Sequence, residues 1–169
     1  MNAAEELGSL LRERHLTIAC AESCTGGLLT SLLTDVPGSS AYVKGSIVCY
    51  TNEIKERLVG VPAGIIEKYT EVSYDCACEM ATGVRKGIGA DVGVGITGNA
   101  GPDASAGQPV GRVFIAAAVG GAVKGIKCQF DGDRCQVKQL AALKAMELVS
   151  VMLKADGSGD AGSDDVTNC

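Results

Sequence analysis

Aromatic side chains are scarce in this chain: two Phe, four Tyr and no Trp, 4% of 169 residues. A surface that stacks single-stranded bases needs such rings, so that class of nucleic-acid binder is disfavoured. Histidine is scarcer still. His15 stands alone, which excludes a His-rich zinc site and argues against a Ser-His-Asp triad, because it sits at the end of an amphipathic segment. No C-x-x-C pair occurs among the eight cysteines, so they read mostly as reduced, small core residues rather than metal ligands. No run approaches the ~20 apolar residues that a membrane-spanning helix requires. A basic excess is also missing. Asp156, Asp160, Asp164 and Asp165 follow Lys154, the last basic residue; setting them aside leaves 16 acidic side chains against 15 basic ones. A nearly neutral body carries no stripe for a phosphate backbone. The first residues are acidic, with Glu5 and Glu6, rather than basic and then apolar. The expectation is a cytoplasmic protein without membrane or nucleic-acid partners.

What is abundant is small apolar residues and glycine: 46% of the chain is hydrophobic and 23 residues are Gly. That profile suits one compact α/β domain. Residues 2–14 carry a helical stripe of Ala3, Leu7, Leu10 and Leu11. Residues 16–20 read as a buried strand, and residues 27–34 as a helix. A strand over 42–50 leads to a helix capped by Asn52, and Pro62 opens a short helix to about 69. The pattern continues with a helix over 74–87, a strand over 92–97, and strands over 110–119 and 124–130 joined as a hairpin at Gly120-Gly121. Asp133 caps a last helix to about 153. The expected fold is an α/β/α sandwich in three layers, with a mixed, mainly parallel sheet that ends in an antiparallel hairpin. Residues 1–154 form the domain, and 155–169 read as a disordered acidic Gly/Ser/Asp tail.

The segment Ala21-Glu22-Ser23-Cys24-Thr25-Gly26-Gly27 falls between a strand and a helix. A turn there lifts Ser23 clear of the sheet edge, and the amides of Thr25, Gly26 and Gly27 face the same space. This suits a nucleophile beside an oxyanion hole, and equally a phosphate cradle. A serine needs a base, and a neutral lysine can serve. In Tyr50-Thr51-Asn52-Glu53-Ile54-Lys55, a cap at Asn52 puts Lys55 at the third helical position, where the dipole disfavours a positive charge. Tyr50 is placed to relay a proton between the two. A solvated lysine and a core tyrosine fit the same spacing, and spacing alone favours that plainer arrangement. Thr97 and Gly98, in a glycine-rich loop after a strand, lie where open α/β sheets bind ligands; an ordinary long connection between strands fits the residue types equally. Arg134 in a first helical turn opposes the dipole; it either binds an anion or pairs with Asp131 or Asp133, and the residue types alone favour the pairing.

Taken together, these segments resemble the C-terminal domain family of the competence/damage-inducible protein CinA. The resemblance also runs through Asp35-Val36-Pro37-Gly38-Ser39-Ser40, Gly60-Val61-Pro62, Val72-Ser73, Thr97-Gly98-Asn99-Ala100-Gly101-Pro102, Pro109-Val110-Gly111 and Phe130-Asp131-Gly132-Asp133-Arg134. These blocks come in family order and cover roughly residues 5–153. The Ser23 and Lys55 blocks together are highly specific. The resemblance implies hydrolysis of the carboxamide of nicotinamide mononucleotide to nicotinic acid mononucleotide and ammonia, with neither metal nor cofactor. It implies Ser23 as nucleophile, Lys55 as base and Tyr50 as assisting hydroxyl. Thr25, Gly26, Gly27, Thr97 and Gly98 would line the site, with Ser39, Ser40 and Arg134 for the phosphate. Asn99, Gln108, Arg112 and Lys138 depart from the family's usual residues. The alternatives are a non-catalytic nucleotide-binding or regulatory module and a cysteine hydrolase using Cys24. The sequence leaves a homodimer open.

Overall fold

The computed structural model describes residues 1–158 and the pair Thr167–Asn168. Residues 159–166 and 169, most of the expected tail, lie outside the described residues.

Asn2 starts the first helix, α1 (Ala3–Glu13), through a capping box: its Oδ1 accepts from the Glu5 amide, and Glu5 Oε2 accepts from its own amide, both at 2.9 Å. The apolar stripe of α1 buries Leu7 and Leu11 completely. β1 (Ile18–Glu22) lies two residues further on than the apolar run predicts, and all five of its residues are buried. It is an inner strand flanked on both sides, and burial on both faces removes the alternation that would have marked its end. After β1 come α2 (Leu28–Thr34), a single turn over Ser39–Ala41 and β2 (Val43–Val48). A short α3 (Asn52–Ile54) opens into one π-helical turn, Lys55–Val59. Then follow α4 (Ala63–Tyr69), α5 (Tyr74–Ile88), β3 (Val92–Gly98), β4 (Arg112–Val119), β5 (Ala122–Gln129), α6 (Arg134–Ser158) and β6 (Thr167–Asn168).

The sheet order is β2-β1-β3-β4-β5-β6. It is parallel across β2, β1 and β3 and antiparallel from β3 onward, with the β4–β5 hairpin turning at Gly120-Gly121 as expected. Helices α1, α2 and α6 pack on one face over Leu29, Val94, Ile115 and Val149. Helix α5 covers the other: its Met80 and Val84 cluster with Ala21 of β1, and its Ala77 and Ala81 with Ala116 of β4. Helix α6 continues to Ser158, so the first residues assigned to the tail are helical. Leu153 is fully buried, and Lys154 pairs with Glu6 of α1, so the helix is docked as far as these residues. Among the described residues, no helix is long and apolar enough to cross a membrane.

Helix α5 approaches β3 closely because β3 presents glycine to it. A Cβ on Gly95 would stand 2.3 Å from the Ala77 carbonyl oxygen and 2.7 Å from the Ala81 amide. Both obstacles are backbone, so a methyl group forces the helix off the sheet. Gly95→Ala should therefore cost about 1–3 kcal/mol, read as a lower denaturant midpoint at unchanged m-value.

Candidate active site

Ser23 is the first residue after β1, at the carboxyl edge of the parallel strands. Its amide donates to the Ile96 carbonyl of β3 at 3.0 Å, which fixes it to the neighbouring strand. The residue before it explains the turn. Glu22 is fully buried, and its carboxylate accepts four hydrogen bonds: from the amides of Gly27 (3.0 Å), Leu29 (3.0 Å) and Thr30 (2.9 Å), and from Thr30 Oγ1 (2.7 Å). Gly26 and Gly27, at φ of 62° and 100°, allow the chain to double back so that these amides meet the side chain.

This corrects the anion-site expectation at Gly26 and Gly27. The start of α2 is already occupied by the protein's own carboxylate, and the Gly26 amide donates to the Ser23 carbonyl at 3.1 Å. A phosphate cradle needs those amides unpaired. The amides of Cys24 and Thr25 remain, and among the described residues neither donates to a backbone carbonyl. The usable donors are therefore the backbone of the two residues after Ser23.

Lys55 meets Ser23 directly. Thr51, rather than Asn52, caps α3, its Oγ1 accepting from the Ile54 amide at 3.3 Å. Lys55 thus begins the π-helical turn and points inward, with 1% of its surface exposed. Its Nζ lies 2.9 Å from Ser23 Oγ and donates to the Cys49 carbonyl at 2.9 Å. Cys49 is itself held by its amide donating to the Glu22 carbonyl at 2.9 Å. Among the described residues no carboxylate forms an ion pair with Lys55. An amine between a hydroxyl and a carbonyl can use its lone pair on the hydroxyl proton.

Tyr50 does not bridge this pair. It is 59% exposed, and its hydroxyl accepts from Arg134 Nη2 at 3.0 Å. With Ser23 and Lys55 in direct contact there is no gap for a relay to fill. Arg134 also differs from the local pairing expected. Its Nη1 donates to the Gly101 carbonyl, whereas Asp133 caps α6 by accepting from the Gln136 amide at 2.9 Å. Tyr50 and Arg134 thus form one wall of a cavity of about 230 Å³. Ser23, Lys55, Thr97 and Gly98 also line it. Thr97 Oγ1 donates to the Glu71 carbonyl at 2.6 Å, which ties β3 to the segment before α5.

Ser39 and Ser40 are not part of the cavity. They precede β2, whose first residue pairs with Ile18 at the beginning of β1, whereas Ser23 follows the end of β1. A five-residue strand, roughly 16 Å long, separates the two ends. The same separation removes His15, which is exposed before β1.

Sequence reasoning missed Glu22, Glu71, Asp103 and Ser105. Only the isolated carboxylate in an apolar run ahead of Gly26-Gly27 offered a signal for the first. Asn99 orders the loop wall: its Nδ2 donates to the carbonyls of Ser105 (2.9 Å) and Gln108 (2.8 Å), and its Oδ1 accepts from Ser105 Oγ at 2.6 Å. Cys24 borders the cavity but is only 6% exposed and belongs to the hydrophobic core, and burial pushes its thiol up to about 12. It is held as a neutral thiol, which is incompatible with a thiolate nucleophile.

A three-layer α/β/α domain with a buried Ser–Lys pair at the carboxyl edge of its parallel strands has close relatives. Residues 1–153 match the CinA C-terminal domain, and the chain belongs to that family. It is 45% identical over 152 residues to a competence-damage inducible protein of Halothermothrix orenii, covering 89% of this chain and 37% of the relative. It is 42% identical over 146 residues to a CinA-like protein of Dictyoglomus thermophilum, covering 86% and 36%. The chain thus spans a little over a third of the length of the curated relatives it matches. Among solved structures, a CinA superfamily protein from Klebsiella pneumoniae matches at TM-score 0.87 and 30% identity, covering 91% of this chain and 99% of that one. A competence/damage inducible protein from Agrobacterium tumefaciens matches at TM-score 0.85 and 33% identity, covering 90% and 93%.

Two outcomes test this geometry. Glu22→Gln turns an NH₂ donor toward amide donors, so it should lower stability by about 2–3 kcal/mol, measured by chemical denaturation. Brief alkylation of the native protein at pH 8, read by mass spectrometry, should label exposed Cys135 and spare Cys24.

Proposed function

We propose that the chain is an amidohydrolase that converts nicotinamide mononucleotide to nicotinic acid mononucleotide and ammonia, recycling pyridine nucleotides. The observation that carries this reading is the 2.9 Å contact between Lys55 Nζ and Ser23 Oγ at the floor of an open cavity. A buried amine set against a serine hydroxyl is the pairing of nucleophile and adjacent base that serine catalysis uses, and a surface that only binds has no need of it. The family resemblance names the substrate.

In this mechanism uncharged Lys55 takes the proton of Ser23 as Oγ bonds to the carboxamide carbon. The negative charge moves to the amide oxygen, where the amides of Cys24 and Thr25 stabilise it. The carbon–nitrogen bond then breaks, and Lys55 returns its proton to the departing nitrogen, which leaves as ammonia. Water attacks the ester on Ser23 and gives up a proton to Lys55. The carboxylic acid is released and Ser23 regains its proton. Carbonyl contact with Cys49 holds the amine in line throughout. Tyr50 shapes the wall and orients Arg134, and carries no proton.

Ammonia release from nicotinamide mononucleotide, set beside free nicotinamide, tests the reading. Wild-type protein should act on the nucleotide. Ser23→Ala and Lys55→Ala should each lower kcat by about 10³-fold or more, since the two act as a unit. Tyr50→Phe should stay within about tenfold of wild type. A folded Ser23→Ala protein with wild-type rate would overturn the serine mechanism.

A further inference from the structure

Lys138 follows Arg134 by four residues on α6, so both project from one face, about 6 Å apart along the axis. Its Nζ stands 3.8 Å from the position that a Cβ would occupy on Gly26, which places the amine over the turn that carries Ser23. Gly26 has no side chain to cover it. Lys138 is half-buried, yet among the described residues it makes no hydrogen bond and no ion pair. Arg134 is different: its guanidinium already serves the Gly101 carbonyl and the Tyr50 hydroxyl. Part of its donor set is built into the cavity wall.

The distinction has a physical consequence. A half-buried ammonium without a protein acceptor is poorly solvated and gains most from an anion that arrives with a ligand. The α2 amides nearby do not compete for that anion, because the Glu22 carboxylate occupies them. Positive charge over the turn that carries Ser23 therefore comes from Lys138 of α6, whereas Glu71 and Asp103 bring negative charge to the cavity lining.

We propose that Lys138 is the principal anchor of a subsite at the rim of the cavity for the phosphate of an organic phosphate monoester, with Arg134 as its partly committed neighbour. Assigning that ester to the mononucleotide rests on the amidase reading; the subsite itself does not. The carboxamide enters toward Ser23, and the ribose carries the phosphate outward to Lys138. Lysine supplies a mobile point charge here, so geometry restricts the ester less than a bidentate arginine would.

Calorimetry with ribose 5-phosphate, ribose and inorganic phosphate reads the subsite without turnover. Wild-type protein should bind ribose 5-phosphate and not ribose. Lys138→Ala should weaken that binding tenfold or more, and Lys138→Arg should restore most of it. Inorganic phosphate should bind more weakly than the sugar phosphate. A second measurement compares kcat/KM for nicotinamide mononucleotide with that for the riboside, which lacks the phosphate. Lys138→Ala should lower this ratio about tenfold or more. An unchanged ratio, or ribose 5-phosphate affinity equal in wild type and Lys138→Ala, overturns the subsite. Inorganic phosphate bound as tightly as ribose 5-phosphate overturns the monoester assignment. If ribose 5-phosphate binds through Lys138 while the wild type releases no ammonia, the subsite stands and the amidase reading fails.

Discussion

Glu22 brings a carboxylate into the interior beside the nucleophile, and the first amides of α2 fold back to meet it. A buried charge is tolerable only when its hydrogen-bonding capacity is filled, and here four donors within 3.0 Å fill it. The pairing answers two needs together. It satisfies donors that a short helix leaves open at its start, and it gives the carboxylate a place inside the protein. The path of residues 23–27 follows from it. Once Glu22 points at α2, Ser23 must face the opposite way, toward the cavity, and Cys24 must enter the core.

The same residue reaches the base through its backbone. The Glu22 carbonyl accepts from Cys49, and the Cys49 carbonyl accepts from Lys55 Nζ. The ends of β1 and β2 are thereby locked side by side, and Lys55, six residues beyond Cys49, is delivered to Ser23. Parallel pairing makes this route available. Both strands finish at one edge of the sheet, so residues far apart in the chain emerge into one space. The π-helical turn at Lys55 is the local adjustment that aims the amine inward.

The wall opposite is assembled by polar contacts between backbone and side chain. Asn99 gathers the long connection between β3 and β4, Thr97 clips β3 to the segment before α5, and Arg134 ties α6 to both Gly101 and Tyr50. Four parts of the chain meet there. The cavity is consequently polar along its sides, with Glu71 and Asp103 as well as the committed Arg134 in its lining.

The sequence by itself determined the order and type of the main elements, because the amphipathic stripe of α1, the hairpin glycines and the cap before α6 act over a few residues. It also marked Ser23, Lys55, Thr97 and Arg134 through short motifs. It misplaced what depends on distant partners. The end of β1 was hidden because an inner strand is apolar on both faces. Thr51 took the cap that Asn52 could equally have made. Ser39 and Ser40 looked like phosphate ligands until parallel pairing put them at the far edge of the sheet. Only the tertiary structure decided that Lys55 touches Ser23 without help from Tyr50. It likewise decided that the α2 amides belong to Glu22, and that the Cys24 thiol is buried. A hydrogen bond depends on positions in space, and residues separated by a strand and a helix acquire those positions only when the sheet has formed.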